Sequence, residues 1–403
     1  MTIACPDCGT LAQIPPLARG ERAVCVRCHA DLEKTRGRSL TAALACALAT
    51  FLLLFPVNVL PLIRVRIFSM HAQNVTAAGV AQLWQHGWIL LAGLSAILVI
   101  VLPFARFGLL SAVLGALRLG RRPRWLGVAF RWAMWLDIWA MLDVYLLAGF
   151  VGYYRLIHVG AAQVLIEPGG ACFIAAGVLT MLSRATLDAR TVWRAIGGET
   201  HPSPAARAIA CLGCDLVQPP AREGCPCPRC GARLRTRKPD ALPWTTALLI
   251  TSFVLLFPAN LYPMNISNQL GQQVNYTIFT GVSDLFKSGL WPLGALIFCT
   301  SILTPALKIF GIGWCVVSVR RRSARHLVVK TRVLRVVAEL GRWSKTDPLA
   351  IVFFVPLMNF GALGSAHAGW GATAFMLMTF ITMVASVTFD PRLMWDAATG
   401  AHP

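Results

Sequence analysis

The ten residues LLLFPVNVLP at 52–61 return as VLLFPANLYP at 254–263. Each is an apolar run holding two prolines five residues apart with an asparagine between them, so each reads as the irregular end of a long hydrophobic helix. Outward from this pair the landmarks keep the same order. Gly79, Val80 and Leu83 recur as Gly281, Val282 and Leu285, and Gly87 and Pro103 as Gly289 and Pro305. WAMLD at 139–143 faces WSKTD at 343–347, and TLDARTVW at 186–193 faces TFDPRLMW at 388–395. Landmarks repeating in order at a period of about 200 residues define a duplicated unit.

Composition says where that unit resides. Of 403 residues 56% are hydrophobic and 13% charged, with a mean hydropathy of +0.63 and a net charge of +20. A soluble protein would be roughly 25% charged, so an ordinary soluble enzyme is excluded. The apolar stretches reach the roughly 20 residues that cross a bilayer. Four spans are expected in the first copy, at 40–63, 88–117, 131–157 and 170–187. The second copy gives four more, at 242–264, 290–317, 333–360 and 371–389. The opening MTIACPDCGTLAQIPP has neither an apolar run nor a cleavage site, so it reads as a soluble module and not a secretory signal.

Basic residues orient the spans. Arg118, Arg121, Arg122, Arg124 and Arg131 separate spans two and three, and Arg320, Arg321, Arg322, Arg325, Lys330, Arg332 and Arg335 hold the same place in copy two. These linkers are expected in the cytoplasm, together with both termini. Arg64 and Arg66, on the opposite side, fit that rule imperfectly. An even number of spans per copy makes the halves parallel repeats.

Each copy opens on a cysteine-rich head. Cys5-x2-Cys8 precedes Cys25-x2-Cys28, and Cys211-x2-Cys214 precedes Cys227-x2-Cys230. Two such knuckles close a four-thiolate shell of the kind that holds structural Zn²⁺, one ion per head. Iron in place of zinc, and redox chemistry at Cys-x-x-Cys, are the rival readings. A closed shell leaves no position for a substrate, so zinc here folds a head too small to have its own core. Cys225 is an extra thiol, and Cys46, Cys172, Cys299 and Cys315 read as small apolar residues.

Charged residues within spans are the candidates for mechanism. Lys308 lies twelve residues before Arg320, and Asp347 twelve after Arg335, so both reach a depth of about 18 Å. Arg106 and Asp143 match them in copy one. Either these pairs form an ion-coupled switch, with Thr304, Ser344, Lys345 and Thr382 as polar neighbours, or they lock helices together. Copy two, with Lys345 and Pro348 beside its acid, is expected to be the moving half. Asp137, Glu339 and Asp284 are weaker candidates. No G-x-x-x-x-G-K-[ST] loop is present, so ATP is not the evident driver.

The duplicated set of four-cysteine head, LLLFPxNxxP, W-x3-D and T-x-D-x-R-x-x-W resembles the paraquat-inducible protein A family over nearly the whole chain. The resemblance implies an inner-membrane protein of Gram-negative bacteria, not an enzyme, that moves phospholipid between membranes with a periplasmic MCE-domain partner. It also implies two zinc ribbons and two tetraspanin-like bundles. The expected architecture is therefore an all-α polytopic membrane protein of two tandem four-helix transmembrane bundles, each preceded by a small cytosolic zinc ribbon. Its parts are ribbon 1 at 1–36, bundle 1 at 37–195, ribbon 2 at 205–238 and bundle 2 at 239–396. A proton gradient acting at Lys308 and Asp347 is the expected energy source. The alternative is a zinc-dependent membrane sensor that recruits a cytosolic partner. Nucleic acid is not expected, because residues 1–36 contain no Phe, Trp or Tyr on which bases could stack.

Overall fold

The computed structural model describes all residues except 1, 16–17, 19–20, 35–38, 68–69, 141, 159–161, 198–207, 270–271, 344–363 and 401–403. Head 1 is built from two hairpins, β1 (Thr2–Ala4) with β2 (Leu11–Gln13) and β3 (Arg22–Val24) with β4 (Asp31–Lys34). The chain then enters α1 (Leu40–Val59), where the Ser39 hydroxyl accepts from the Ala42 N–H. Ala43, Ala47, Thr50, Leu54 and Val57 form the buried stripe of α1, while Leu48, Leu52, Phe55 and Val59 are exposed apolar residues of the kind that face lipid tails. Pro56 removes one helical donor, and near the end of the helix Asn58 Nδ2 donates to Leu54 O at 2.8 Å.

After α1 comes a feature that the all-α expectation omits. β5 (Ile63–Ile67) pairs antiparallel with β6 (Met70–Asn74) on one side and with β7 (Ala162–Ile166) on the other, closing a three-stranded sheet. Ile63 and Val65 are buried and Arg66 is exposed, the period of two that IRVRI spells out. Next follow α2 (Thr76–Gln85) and α3 (Ile89–Arg118). The latter spans 30 residues, and residues 96–101 form a π-helical segment just before Pro103, which cannot donate a backbone bond.

The third span of copy one is two helices, α4 (Leu126–Leu136) and α5 (Leu142–His158), and not the single segment expected at 131–157. The fourth, α6 (Pro168–Thr186), packs along α1 and also meets α5, where a Cβ on Gly177 would stand 2.6 Å from Leu146 and Phe173 meets Tyr145 at 5.0 Å. Small residues let the two backbones approach. A Cβ on Gly170 would stand 2.4 Å from Leu62 O, so this crossing admits glycine alone. The short α7 (Ala189–Ile196) ends the copy, capped by Asp188.

Copy two repeats the plan. Head 2 contains β8 (Ile209–Ala210) and β9 (Val217–Gln218), followed by α8 (Ala241–Leu261). A second sheet joins β10 (Asn265–Gln269), β11 (Gln272–Tyr276) and β12 (Gly364–Ala368). The helices are α9 (Ile278–Lys287), α10 (Trp291–Arg320), α11 (Leu327–Trp343), α12 (Trp370–Thr388) and α13 (Arg392–Thr399). A π-helical segment recurs at 299–303, before Pro305. Gly371 repeats the close crossing, its Cβ position 2.4 Å from Tyr262 O.

Among the described residues six helices are long and apolar enough to cross a membrane: α1, α3, α6, α8, α10 and α12. Residues 344–363, holding most of the expected eighth span, lie outside the described residues. Every copy thus has a head end and a sheet end. The copies meet where Trp88 stands edge-on to Trp370 at 5.3 Å, where Trp139 meets Phe380 at 5.2 Å, and where Val151 packs with Val282, Leu293 and Ile297.

Candidate metal centres and buried ion pairs

In head 1 the Cys5 and Cys28 sulfurs are 3.3 Å apart and those of Cys8 and Cys25 are 3.6 Å apart. In head 2 Cys211 and Cys230 are 3.5 Å apart, and Cys214 and Cys227 3.6 Å. All eight are buried, and within each set the sulfurs lie within 4.8 Å of one another. Four sulfurs about 2.3 Å from one tetrahedral ion stand ~3.8 Å apart, so both sets fit a metal ion such as zinc. The backbone is built for it. Residues Gly9, His29, Asp215 and Gly231, each just after the second cysteine of a knuckle, all have positive φ and return an N–H to the first cysteine's carbonyl. The crowded thiols divide their protons unequally. The hydrogen bond with Cys5 pulls Cys8 down to about 4, the same contact pushes Cys5 up, and burial pushes Cys28 up to about 11. A divalent cation displaces the remaining protons.

The heads are exchanged between copies. Head 1 sits on the head end of copy two, where its cysteines pack against Trp395, Leu327 and Val328. Arg335 Nε donates to Asp7 Oδ2 at 2.6 Å, and Nη2 to Cys28 O at 2.9 Å. Arg392 Nε donates to Pro6 O at 3.1 Å, and Arg27 lies over the Trp395 ring at 4.7 Å. Head 2 sits in the matching place on copy one: a Cβ on Gly127 would meet Arg229 O at 1.8 Å, and Arg229 Nε donates to Gly197 O at 2.8 Å. Arg131, which aligns with Arg335 by its distance from the W-x3-D motif, lies against Gly213, which aligns with Asp7.

Within the spans the expected pairing of Arg106 with Asp143 is not the one formed. Arg106 pairs with Asp137, and Asp143 pairs with Arg184. Arg184 also reaches Asp137 Oδ1 at 2.9 Å and donates to the carbonyls of Asp137 and Ala140 at 3.3 and 3.2 Å. The break at 137–140 explains the exchange, since it turns Asp137 toward α3 and frees two carbonyls for Arg184. Arg184 is the single charge in α6, and that isolation was its sequence signal. Copy two differs at each place. Lys308, 1% exposed, donates from Nζ to Gly341 O at 2.8 Å, where Gly341 aligns with Asp137. Ser386 stands where Arg184 would be, and its hydroxyl donates to Met383 O. Thr304 and Thr382 are buried and donate to Cys299 O and Thr379 O on their own helices. Ser344, Lys345 and Asp347 lie outside the described residues. Sequence reasoning also missed Lys330, buried at 3% exposure with Nζ 2.6 Å from Ser318 Oγ.

Two four-cysteine heads on a duplicated set of apolar helices, with charges paired inside the helices, define a multi-pass membrane protein of internal repeats. The chain belongs to the paraquat-inducible protein A family, whose model matches it twice, at 40–197 and 242–399. It is 29% identical over 405 residues to the intermembrane transport protein PqiA of Escherichia coli (strain K12), covering 98% of this chain and 95% of that one. It is 30% identical over 403 residues to the lipophilic envelope-spanning tunnel protein A of the same organism, covering 98% and 91%. A probable intermembrane transport protein of Haemophilus influenzae is 26% identical over 405 residues, covering 98% and 95%. These relatives are named as transport proteins and not as enzymes. No solved structure gives a significant match.

Proposed function

We propose that this chain is the inner-membrane component of a lipid transport system, passing phospholipid to or from a periplasmic MCE-domain tunnel that leads to the outer membrane. The names of its full-length relatives support transport between membranes. In this reading the head end is cytoplasmic and the sheet end faces the periplasm, an orientation supported by the arginine-rich linkers at 118–124 and 320–325. The parts are the two heads and the two bundles at 1–36, 37–195, 205–238 and 239–396. Cys5, Cys8, Cys25, Cys28, Cys211, Cys214, Cys227 and Cys230 hold two Zn²⁺ ions that fold the heads. The coupling set is Lys308, Asp347, Lys345, Ser344, Thr304 and Thr382, with Arg106 and Asp143 as its counterparts in copy one.

The divergence of the copies at one depth carries this reading. Copy one closes its charges into a four-membered network, Arg106–Asp137–Arg184–Asp143. Copy two keeps the cation but has glycine in place of the acid at 341 and serine in place of the second cation at 386, and Lys308 Nζ donates to Gly341 O. The acid and the second cation that lock copy one at these two positions are thus absent from copy two. Copy one is then scaffold and copy two the energised half, drawing on a proton gradient. The test is complementation of a strain lacking the protein. Lys308→Ala and Asp347→Asn, present at wild-type level, should fail to restore outer-membrane lipid composition; full restoration by both would overturn the coupling role.

A further inference from the structure

The two heads have nearly the same sulfur geometry and the same burial, each of the eight cysteines being at most 4% exposed. Solvent access therefore does not separate them. Their seats do. Four thiolates around one divalent ion carry an excess of negative charge, and buried charge is stable only beside groups that compensate it.

In head 1 a side chain of copy two supplies that group. Arg335, on α11, spreads its guanidinium over the second knuckle: Nη2 donates to Cys28 O at 2.9 Å and lies 3.5 Å from Cys28 Sγ, and Nη1 donates to His29 O at 3.2 Å. Its Nε is taken by Asp7 Oδ2 at 2.6 Å, and Asp7 stands between Cys5 and Cys8 in the first knuckle. The acid thus aims the cation at the fourth ligand. A charge-assisted bond to a thiolate offsets part of its charge, and a donor placed behind a ligand fixes its orientation toward the ion.

Head 2 has the cation without the aim. Arg131, on α4, occupies the matching place, but Gly213 stands where Asp7 would be, and the Arg131 guanidinium lies over the Trp132 ring at 5.9 Å. Arg229, in head 2 itself, reaches only the Cys214 carbonyl, 3.5 Å from its Nη1. Among the described residues no cation donates to a sulfur of head 2.

We infer that Arg335 is a positioning residue for the head 1 metal site, holding the Cys28 thiolate toward the ion, so that the metal affinity of head 1, unlike that of head 2, depends on an arginine of the bundle beneath it. Linkage makes the effect reciprocal. The factor by which the Arg335 contact strengthens metal binding is the factor by which the metal strengthens the seat of head 1 on copy two. This rests on the metal reading of the heads and is independent of lipid transport.

The full chain in mild detergent would be equilibrated across a series of chelator-buffered zinc concentrations, pulsed with N-ethylmaleimide and mapped by mass spectrometry. Thiols that hold metal are protected, and the exposed Cys225, outside both four-cysteine sets, reports complete labelling. Arg335→Gln should raise the zinc concentration that half-protects Cys25 and Cys28 by about ten-fold and leave that for Cys227 and Cys230 unmoved. Arg335→Lys, which keeps the charge and loses the planar fork, should recover part of the shift. Arg131→Gln should move neither pair. Arg392→Gln separates the sulfur contact from a seat that is merely weaker, since it removes the bond to Pro6 O and spares Cys28. With cobalt in place of zinc, the thiolate-to-metal absorption band should shift in Arg335→Gln and not in Arg392→Gln. Half-protection of head 1 unmoved by Arg335→Gln, or moved equally by Arg392→Gln, overturns the inference while leaving two metal sites in place. A purified chain with no metal in either head would sink the metal reading and the inference with it.

Discussion

Arg184 links two acids and two backbone carbonyls from a helix that has no other charge. Removing one member of a buried pair leaves the others uncompensated, at a cost of about 3–5 kcal/mol. Arg184→Ala should therefore lower thermal stability in detergent by that order, whereas Ser386→Ala at the matching position of copy two should stay within about 0.5 kcal/mol. Lys308→Met makes a different contrast. It keeps the volume and loses the hydrogen bond to Gly341 O, which by itself costs about 1 kcal/mol. Fold retained with transport abolished is the expected outcome, measured by unfolding and by complementation in parallel; a Lys308→Met variant that transports normally would reduce Lys308 to a helix lock. That Arg106 and Lys308 are buried within their helices agrees with their count from the arginine anchors. Their partners were not legible, because spacing along a helix says nothing of a break at 137–140 that carries one acid across to another helix.

At the scale of elements, the glycines where the sheet end meets α6 and α12 decide whether the helices can close. Gly170→Ala places a methyl 2.4 Å from Leu62 O and 2.8 Å from Ile166 Cγ2, and the backbone oxygen cannot yield as a side chain would. A drop in stability of about 1–3 kcal/mol is expected, with loss of folded protein on size-exclusion in detergent. Gly115→Ala, with nothing within 4 Å of its Cβ, should be neutral or slightly stabilising. The six long helices could be read from hydropathy and composition, and both four-cysteine sets from spacing. The two sheets went unread although IRVRI at 63–67 alternates strictly, because each sheet is closed by a strand about a hundred residues away. Local pattern proposes a strand, and only the tertiary fold supplies its partner.

For the molecule as a whole, the exchanged heads make the metal sites part of the contact between copies. Two metal ions per chain are expected by elemental analysis, and a strong chelator should loosen both the heads and the helix ends beneath them. Protease cleavage within 1–36 after metal removal, absent before it, would report this. The Arg335–Asp7 contact can be tested alone: Arg335→Glu should weaken docking of head 1, and the Arg335→Glu/Asp7→Arg pair should restore part of it. No sequence motif announced the exchange, since a head contiguous with its own bundle is the simpler expectation.

The same contact bears on how the chain is made. Head 2 leaves the ribosome after copy one is complete, so its seat on Gly127 and Gly197 is already there. Head 1 emerges first and finds its seat last. Asp7 and Arg335 are 328 residues apart, and at about 5–20 residues per second the first head waits on the order of tens of seconds for its partner surface. Arg392 and Trp395, which it also contacts, lie in α13, so head 1 docks only after copy two has been made.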